Sequence, residues 1–187
     1  IHFDDYFYPY KISGVEFPDD KSFKKYCGNF GHQNKDDWRR NNVDLIIKQL
    51  HDSIKSIKPT VEFGISPFGV WRNKKNDPNG SETRAGVSNY DDLYADVRKW
   101  LMKGWIDYVI PQLYWEKGNH FGDFTSLVQW WVKNSFGKPL YIGQALYKST
   151  SEKNGWVQPD ELNDQLNFLR TNEKVRGFAF YSASNLL

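Results

Sequence analysis

At 187 residues the chain has the length of one domain, since domains usually hold roughly 100–200 residues. Its 25 Lys and Arg against 23 Asp and Glu leave a net charge of +2, without the clustered basic stripe by which nucleic acid is bound, so no nucleic-acid partner is expected. A single cysteine, Cys27, excludes an internal disulfide and reads as an incidental thiol, and no apolar run approaches the roughly 20 residues that span a bilayer.

In chain order, Ile1-His2-Phe3-Asp4 reads as a strand with Ile1 and Phe3 on one face, packing on helices, and His2 and Asp4 on the other. It ends in the pair Asp4-Asp5, followed by Tyr6, Phe7, Tyr8, Pro9 and Tyr10. Two acids where an apolar strand stops suit a sugar-binding catalytic rim, and they equally suit a turn in which Asp accepts from a backbone N–H. Residues 11–36 are polar, yet Phe17, Phe23, Tyr26 and Phe30 let the segment pack, which predicts an ordered flap over a site. Val43, Ile46, Ile47, Leu50, Ile54 and Ile57 recur at three- and four-residue steps and predict a helix over 37–57, stopped by Pro59.

A second strand is expected over Val61-Glu62-Phe63-Gly64-Ile65-Ser66, leading into a long polar loop that begins Pro67-Phe68-Gly69-Val70-Trp71-Arg72-Asn73. Ser88 and Asp91 form a capping-box pattern before a helix marked by Leu93, Val97, Trp100 and Leu101 and ended by Gly104. The third strand, 108–114, contains Pro111, which predicts a strand end or a bulge. A helix over 123–134, a strand over 140–146, a helix opened by Pro159 with Leu162, Leu166 and Leu169, and a strand over 177–182 complete the chain.

Strand, loop, helix, short turn: the unit repeats four times, which calls for a parallel sheet with right-handed crossovers. Loops after strands are long and rich in aromatic and charged residues, whereas those after helices are short, as in a (β/α) barrel with its chemistry at the C-terminal strand ends. A doubly wound open sheet is the alternative, but no Gly-rich phosphate loop follows any strand. A full barrel needs about 250 residues. The expectation is therefore an α/β fold over 1–187 as a single barrel domain, the C-terminal part of a TIM (β/α)8 barrel of about five β/α units lacking its first three strands. Open sheet edges would then invite pairing with another chain; an intact smaller fold is the alternative.

Aromatic residues make up 17% of the chain, with 8 Trp, and flat rings stack on the C–H faces of sugars as well as filling cores. Glycoside hydrolysis uses two carboxyl groups, one protonated and one ionised. The acids placed at strand ends are Asp4, Asp5 and Glu116, of which Asp4 has the inward-facing claim and Asp5 would orient a loop or bind hydroxyls. Adjacent carboxylates in a partly buried site separate in pKa, which supplies a protonated acid. Glu116, beside Lys117, reads equally as a solvated loop acid. Substrate contacts are expected from His2, Tyr6, Trp71, Arg72, Gln112, Tyr114, Trp115, Tyr147 and Tyr181, while Trp100, Trp130 and Trp131 lie on helices and read as packing residues. His2, His32, His51 and His120 lack metal-ligand spacing, which speaks against a metallohydrolase built on His2 and Asp4.

The runs Ile1-His2-Phe3-Asp4-Asp5-Tyr6-Phe7-Tyr8-Pro9, Asp37-Trp38-Arg39-Arg40-Asn41-Asn42-Val43, Phe63 through Asn73, Gly104-Trp105-Ile106-Asp107-Tyr108, Pro111-Gln112-Leu113-Tyr114-Trp115 and Leu140-Tyr141-Ile142-Gly143 resemble the glycosyl hydrolase-like family 10 proteins. That is a bacterial envelope family with a (β/α)8 barrel, and the similarity spans essentially the whole chain. The resemblance implies cleavage of O-glycosyl bonds in a bacterial polysaccharide, with peptidoglycan-type strands as substrate, no cofactor, and a secreted or lipid-anchored place in the cell envelope. It aligns Asp4 and Asp5 with the acid pair at the family's fourth strand, and Tyr114 and Trp115 with the aromatic run after its sixth. Without the first three strands the chain departs from the family pattern. A glycan-binding barrel that has lost catalysis would share every aromatic and differ in the acids, and a structural half-barrel would neither bind nor cleave.

Overall fold

The computed structural model describes residues 1–31, 34–150, 156 and 158–185. His32 lies outside them. Five strands form one sheet in the order β1 (His2–Phe3), β2 (Gly64–Ile65), β3 (Tyr108–Val109), β4 (Leu140–Gln144) and β5 (Val175–Phe180). Every neighbouring pair is parallel, with His2 opposite Gly64, Gly64 opposite Tyr108, and Val109 opposite Leu140. Sequential order with parallel pairing is what successive β/α crossovers produce, so the class is α/β and the arrangement is that of part of a TIM-barrel-like sheet. Among the described strands β1 and β5 form the edges.

Helices α2 (Lys35–Ile57), α3 (Val97–Lys103), α4 (Phe124–Asn134) and α6 (Glu161–Arg170) follow successive strands, with a single turn α5 (Tyr147–Thr150) after β4. Among the described residues no helix is long and apolar enough to cross a membrane. The core joins Phe63, Ile65, Val109, Leu140 and Ile142 of the sheet segments to Val43, Ile47, Trp100, Phe124, Leu127 and Trp131 of the helices. On α2 the buried stripe is narrower than its periodicity predicts: Val43 and Ile47 are buried, whereas Ile46 and Ile57 are 55% and 78% exposed. On the edge strand β1, Phe3 meets Phe63 edge-on at 5.4 Å but stays partly exposed, and Ile1 is exposed instead of packed on a helix.

Three local expectations are corrected. The 11–36 segment contains a helix, α1 (Asp20–Tyr26), continued by a 3-10 turn over Cys27–Phe30, where a flap was expected. Phe23 docks edge-on against Trp38 at 5.5 Å. The Ser88 capping pattern does form hydrogen bonds, Asp91 N–H to Ser88 Oγ at 3.3 Å and Ser88 N–H to Asp92 Oδ2 at 2.7 Å, but they close a turn. Tyr94, at φ 54°, separates that turn from α3, whose N-cap is Asp96 accepting from Lys99 N–H at 3.2 Å. The third strand stops at Val109, since Pro111 offers no N–H, and only isolated bridges from Gln112 to Phe68 and Gly143 continue the ladder.

Other signals held. Gly104 ends α3 at φ 69°, a conformation that favours glycine, and Asp123 caps α4 by accepting from Ser126 N–H at 2.8 Å. Gly64 is required for a different reason. A Cβ there would stand 2.3 Å from the Tyr108 ring, which itself stacks on His2 at 5.9 Å. Gly64→Ala is therefore expected to lower stability by about 1–3 kcal/mol, the usual range for overpacking, read as a shift in the urea midpoint. An unchanged midpoint would show that Tyr108 can move aside freely.

Candidate active site

Alternation along β1 puts His2 and Asp4 on the side of the sheet that faces the cleft, and Asp5 and Tyr10 also line it. Across the face lie Ser66 after β2 and Gln112 after β3. Together these groups, with Tyr6, Tyr114 and Tyr181, line a cleft of about 410 Å³.

Asp4 is held by two N–H donors on one oxygen: its Oδ1 accepts from Gln112 Nε2 at 2.7 Å and from Asp5 N–H at 2.9 Å. Gln112 is fixed in turn, because the same Nε2 donates to the Ser66 carbonyl at 3.1 Å. No donor among the described residues reaches Asp4 Oδ2, which is left for a ligand. Asp5 accepts from the Tyr10 hydroxyl at 2.7 Å. Burial raises the Asp5 carboxyl above the usual range; the Tyr10 hydrogen bond opposes this, and the charge of Asp4 adds to it.

Burial lowers His2, against the opposing pull of Asp4, so the ring is largely neutral at pH 7. Its Nδ1 lies 3.2 Å from the Tyr108 hydroxyl. On the other side of the cleft Tyr114 stacks on Tyr181 at 6.1 Å, with Tyr147 edge-on to both at 6.2 Å. Burial first, then the charge of Asp4, push the Tyr114 phenol up, so it remains a hydroxyl donor throughout the physiological range.

The structure thus gathers Asp4, Asp5, His2, Tyr6, Gln112, Tyr114 and Tyr181 at one cleft, while Tyr147 reaches it only through its neighbours' rings. The remaining sequence candidates stand elsewhere. Trp71, expected as a sugar platform, is 4% exposed, stacks on Trp130 at 6.0 Å and donates Nε1–H to Asp96 at 3.0 Å. A buried indole N–H needs an acceptor, and the N-cap of α3 supplies it. Arg72 ties its loop together through Asp91 at 2.8 Å and Asp77 at 3.3 Å, with its guanidinium over the Tyr90 ring at 4.5 Å. Trp115 packs edge-on against Phe68 at 5.4 Å as part of the core margin. Glu116 does not line the cleft; its carbonyl accepts from Asn119 and Phe124 at the start of α4.

Trp100 and Trp131 are buried, as their helical positions imply, and donate to Asp44 and to the Gly69 carbonyl. Sequence reasoning passed over Tyr10 and Ser66. Tyr10 stood in the aromatic run after the acid pair, but its bond to Asp5 depends on a turn that no spacing reveals; Ser66 carried no distinctive signal.

A parallel β/α sheet with paired carboxyl groups and a tyrosine cluster at its strand ends has the layout of a barrel hydrolase. The chain belongs to the glycosyl hydrolase-like 10 family, which it matches over residues 1–158. It is 49% identical over 189 residues to glycosyl hydrolase YngK of Bacillus subtilis (strain 168), covering 100% of this chain and 37% of that protein. It is 46% identical over 150 residues to glycosyl hydrolase DigH of Escherichia coli (strain K12), covering 79% of this chain and 33% of that protein, and the same figures apply to DigH of Shigella flexneri. The chain spans about a third of the length of these curated relatives.

Proposed function

We propose that the protein hydrolyses O-glycosyl bonds of a bacterial polysaccharide, with peptidoglycan-type glycan strands as the substrate class and the cell envelope as its place of action. The observation that carries this reading is the pairing, in one cleft, of a carboxyl raised by burial at Asp5 with a carboxylate gripped on a single oxygen at Asp4. Glycoside cleavage divides its labour between a carboxyl that gives a proton and a second that acts as nucleophile or base. Asp5 gives its proton to the leaving glycosidic oxygen. Asp4, with Oδ2 open, attacks the anomeric carbon or takes the proton of the water that does. Tyr114 and Tyr181 offer ring faces and hydroxyls to the sugar, and neutral His2 can donate or accept a hydrogen bond.

Glu116, outside the cleft, is not part of this assignment. A second reading, a barrel that binds glycan without cleaving it, is favoured by the Tyr10 hydrogen bond, which occupies the acid that catalysis would use. The two separate in an assay of reducing ends released from peptide-free glycan strands, where the hydrolase reading expects sustained release with a bell-shaped pH profile. No release from any bacterial glycan at any pH would leave only binding.

Tyr10→Phe sharpens the assignment. Tyr10 stabilises the ionised form of Asp5, so removing its hydroxyl raises the Asp5 pKa further. A general acid works only below its pKa, so the alkaline limb of the profile is expected to move to higher pH. An unmoved limb would mean that Asp5 is not the proton donor.

A further inference from the structure

The bonds that Gln112 makes to Asp4 and Ser66 use only one end of its amide. Both hydrogens of Nε2 are committed, one to Asp4 Oδ1 at 2.7 Å and one to the Ser66 carbonyl at 3.1 Å. Both partners are acceptors, so the orientation of the amide is fixed and Oε1 is the end that remains. No described residue donates to Oε1, and the atom is open to solvent on a residue that lines the cleft.

Strand register decides what lies beside it. Gln112 bridges to Gly143, Gly143 pairs with Ala179, and partners in a parallel ladder project to the same side of the sheet. All three line the cleft, as does Ile110, two residues before Gln112. Gly143 contributes no side chain and Ala179 only an exposed methyl, so an apolar floor with space over it adjoins the amide oxygen. Glycine is required at that place by the approach of the neighbouring segment: a Cβ on Gly143 would stand 3.1 Å from the Pro111 carbonyl oxygen and 3.3 Å from Gln112 Cα.

Three kinds of sugar substituent can donate to a lone acceptor. A hydroxyl satisfies Oε1 but leaves the floor uncovered. An ammonium satisfies it too, at the cost of holding a charge against apolar surface. A secondary amide with a methyl tail meets both demands, its N–H directed at Gln112 Oε1 and its methyl resting on Gly143 and Ala179.

We propose that Gln112, Gly143 and Ala179 form a pocket that selects a 2-acetamido substituent on the sugar bound at Asp4. The proposal rests on the hydrolase reading for the polymer that fills the cleft, and adds which substituent of its sugars is read and by which residues. Each sugar of a peptidoglycan-type strand carries an acetamido group, and the carboxylate of alternate sugars hangs from a different ring carbon, so the pocket is compatible with an anionic chain. The substituent sits on the carbon next to the anomeric one. A sugar read by Gln112 therefore delivers its anomeric carbon beside Asp4, which the same glutamine holds.

The test is calorimetric titration of the full chain, carrying Asp4→Asn so that ligand is not consumed, with β-1,4-linked tetramers of N-acetylglucosamine and of glucose, which differ only in the substituent at C2. The acetylated tetramer is expected to bind on the order of tenfold more tightly, the scale of one hydrogen bond with one buried methyl group. Gln112→Met, similar in length but without the acceptor, and Ala179→Val, which fills the floor from an exposed strand position, should each bring the two affinities within about threefold by weakening the acetylated tetramer alone. Equal affinity for the two tetramers before either change, an equal loss for both in either variant, or no binding of the acetylated tetramer overturns the proposal. Failure of the wild-type chain to release reducing ends, with the preference for the acetylated tetramer retained, would remove the hydrolase reading and leave the pocket standing.

Discussion

Asp4→Asn is expected to lower the turnover number by roughly three orders of magnitude or more, while leaving glycan affinity within about threefold of wild type. The substitution is nearly isosteric. The amide oxygen of Asn can still accept from Gln112 Nε2 and from Asp5 N–H, so the clamp that now holds Oδ1 survives. What disappears is the negative charge, and with it the ability to attack an anomeric carbon or to take a proton. A transition state that resembles an oxocarbenium ion depends on that charge, whereas in the proposed reading the ground-state sugar rests chiefly on Tyr114 and Tyr181. Turnover of reducing ends and calorimetric affinity, measured on one preparation, separate the two effects. Turnover within tenfold of wild type would exclude Asp4 as the catalytic carboxylate, and a matching collapse of affinity would make it a binding residue.

The largest stability effect is expected at the Asp19–Arg39 pair. Both side chains are almost fully buried, at 7% and 3% exposure, and the bond is bidentate. Asp19→Ala would strip the buried Arg39 guanidinium of its bidentate partner and leave it the Tyr94 hydroxyl at 2.7 Å, the Phe17 carbonyl at 3.5 Å and the more exposed carboxylates of Glu16 at 3.3 Å and Asp36 at 3.8 Å, and removing one member of a buried pair costs about 3 kcal/mol. Part of this is pH-dependent. Burial alone would raise Asp19, but hydrogen bonds from Arg39 and Lys35 outweigh it and bring its pKa down to about 2. A carboxyl depressed in the folded state stabilises the fold above its unfolded pKa, and that contribution fades as pH falls through the folded value. About 2 kcal/mol should therefore be present at pH 7 and largely gone near pH 2. Urea unfolding of the wild type and Asp19→Ala at both pH values reads it directly: the gap between them should narrow in acid. A gap independent of pH would show that packing, not charge, dominates at this site.

The strands and helices show how far local pattern reaches. Helix α4 was legible almost to the residue, because Asp123 supplies its cap and Leu127, Val128 and Trp131 its buried face. The strands were legible in place but not in length, since β2 and β3 pair over two residues each where six and seven were expected. Alternation marks which residues are extended, whereas hydrogen bonding to a neighbour also depends on prolines and on the twist of the adjoining strand. Helix α1 was missed because no described side chain in it is buried, so no apolar stripe announces it.

The candidate site divides along the same line. Asp4, Asp5 and Tyr114 could be singled out because strand alternation and strand order are local properties that project those positions toward one end of a parallel sheet. The same reasoning erred on Trp71 and Glu116, because residues several positions beyond a strand follow the loop, and the loop answers to distant partners such as Asp96 and Trp130. The order of elements, the α/β class and the paired acids were thus determined by the chain alone, through periodicities that act over a few residues. Which acid carries the raised pKa, that Gln112 grips the other, and that the Tyr10 hydroxyl reaches Asp5 were decided only in three dimensions. Desolvation and hydrogen-bond geometry depend on groups from different parts of the chain, up to 108 positions away for Gln112 and Asp4, and no local pattern encodes such meetings.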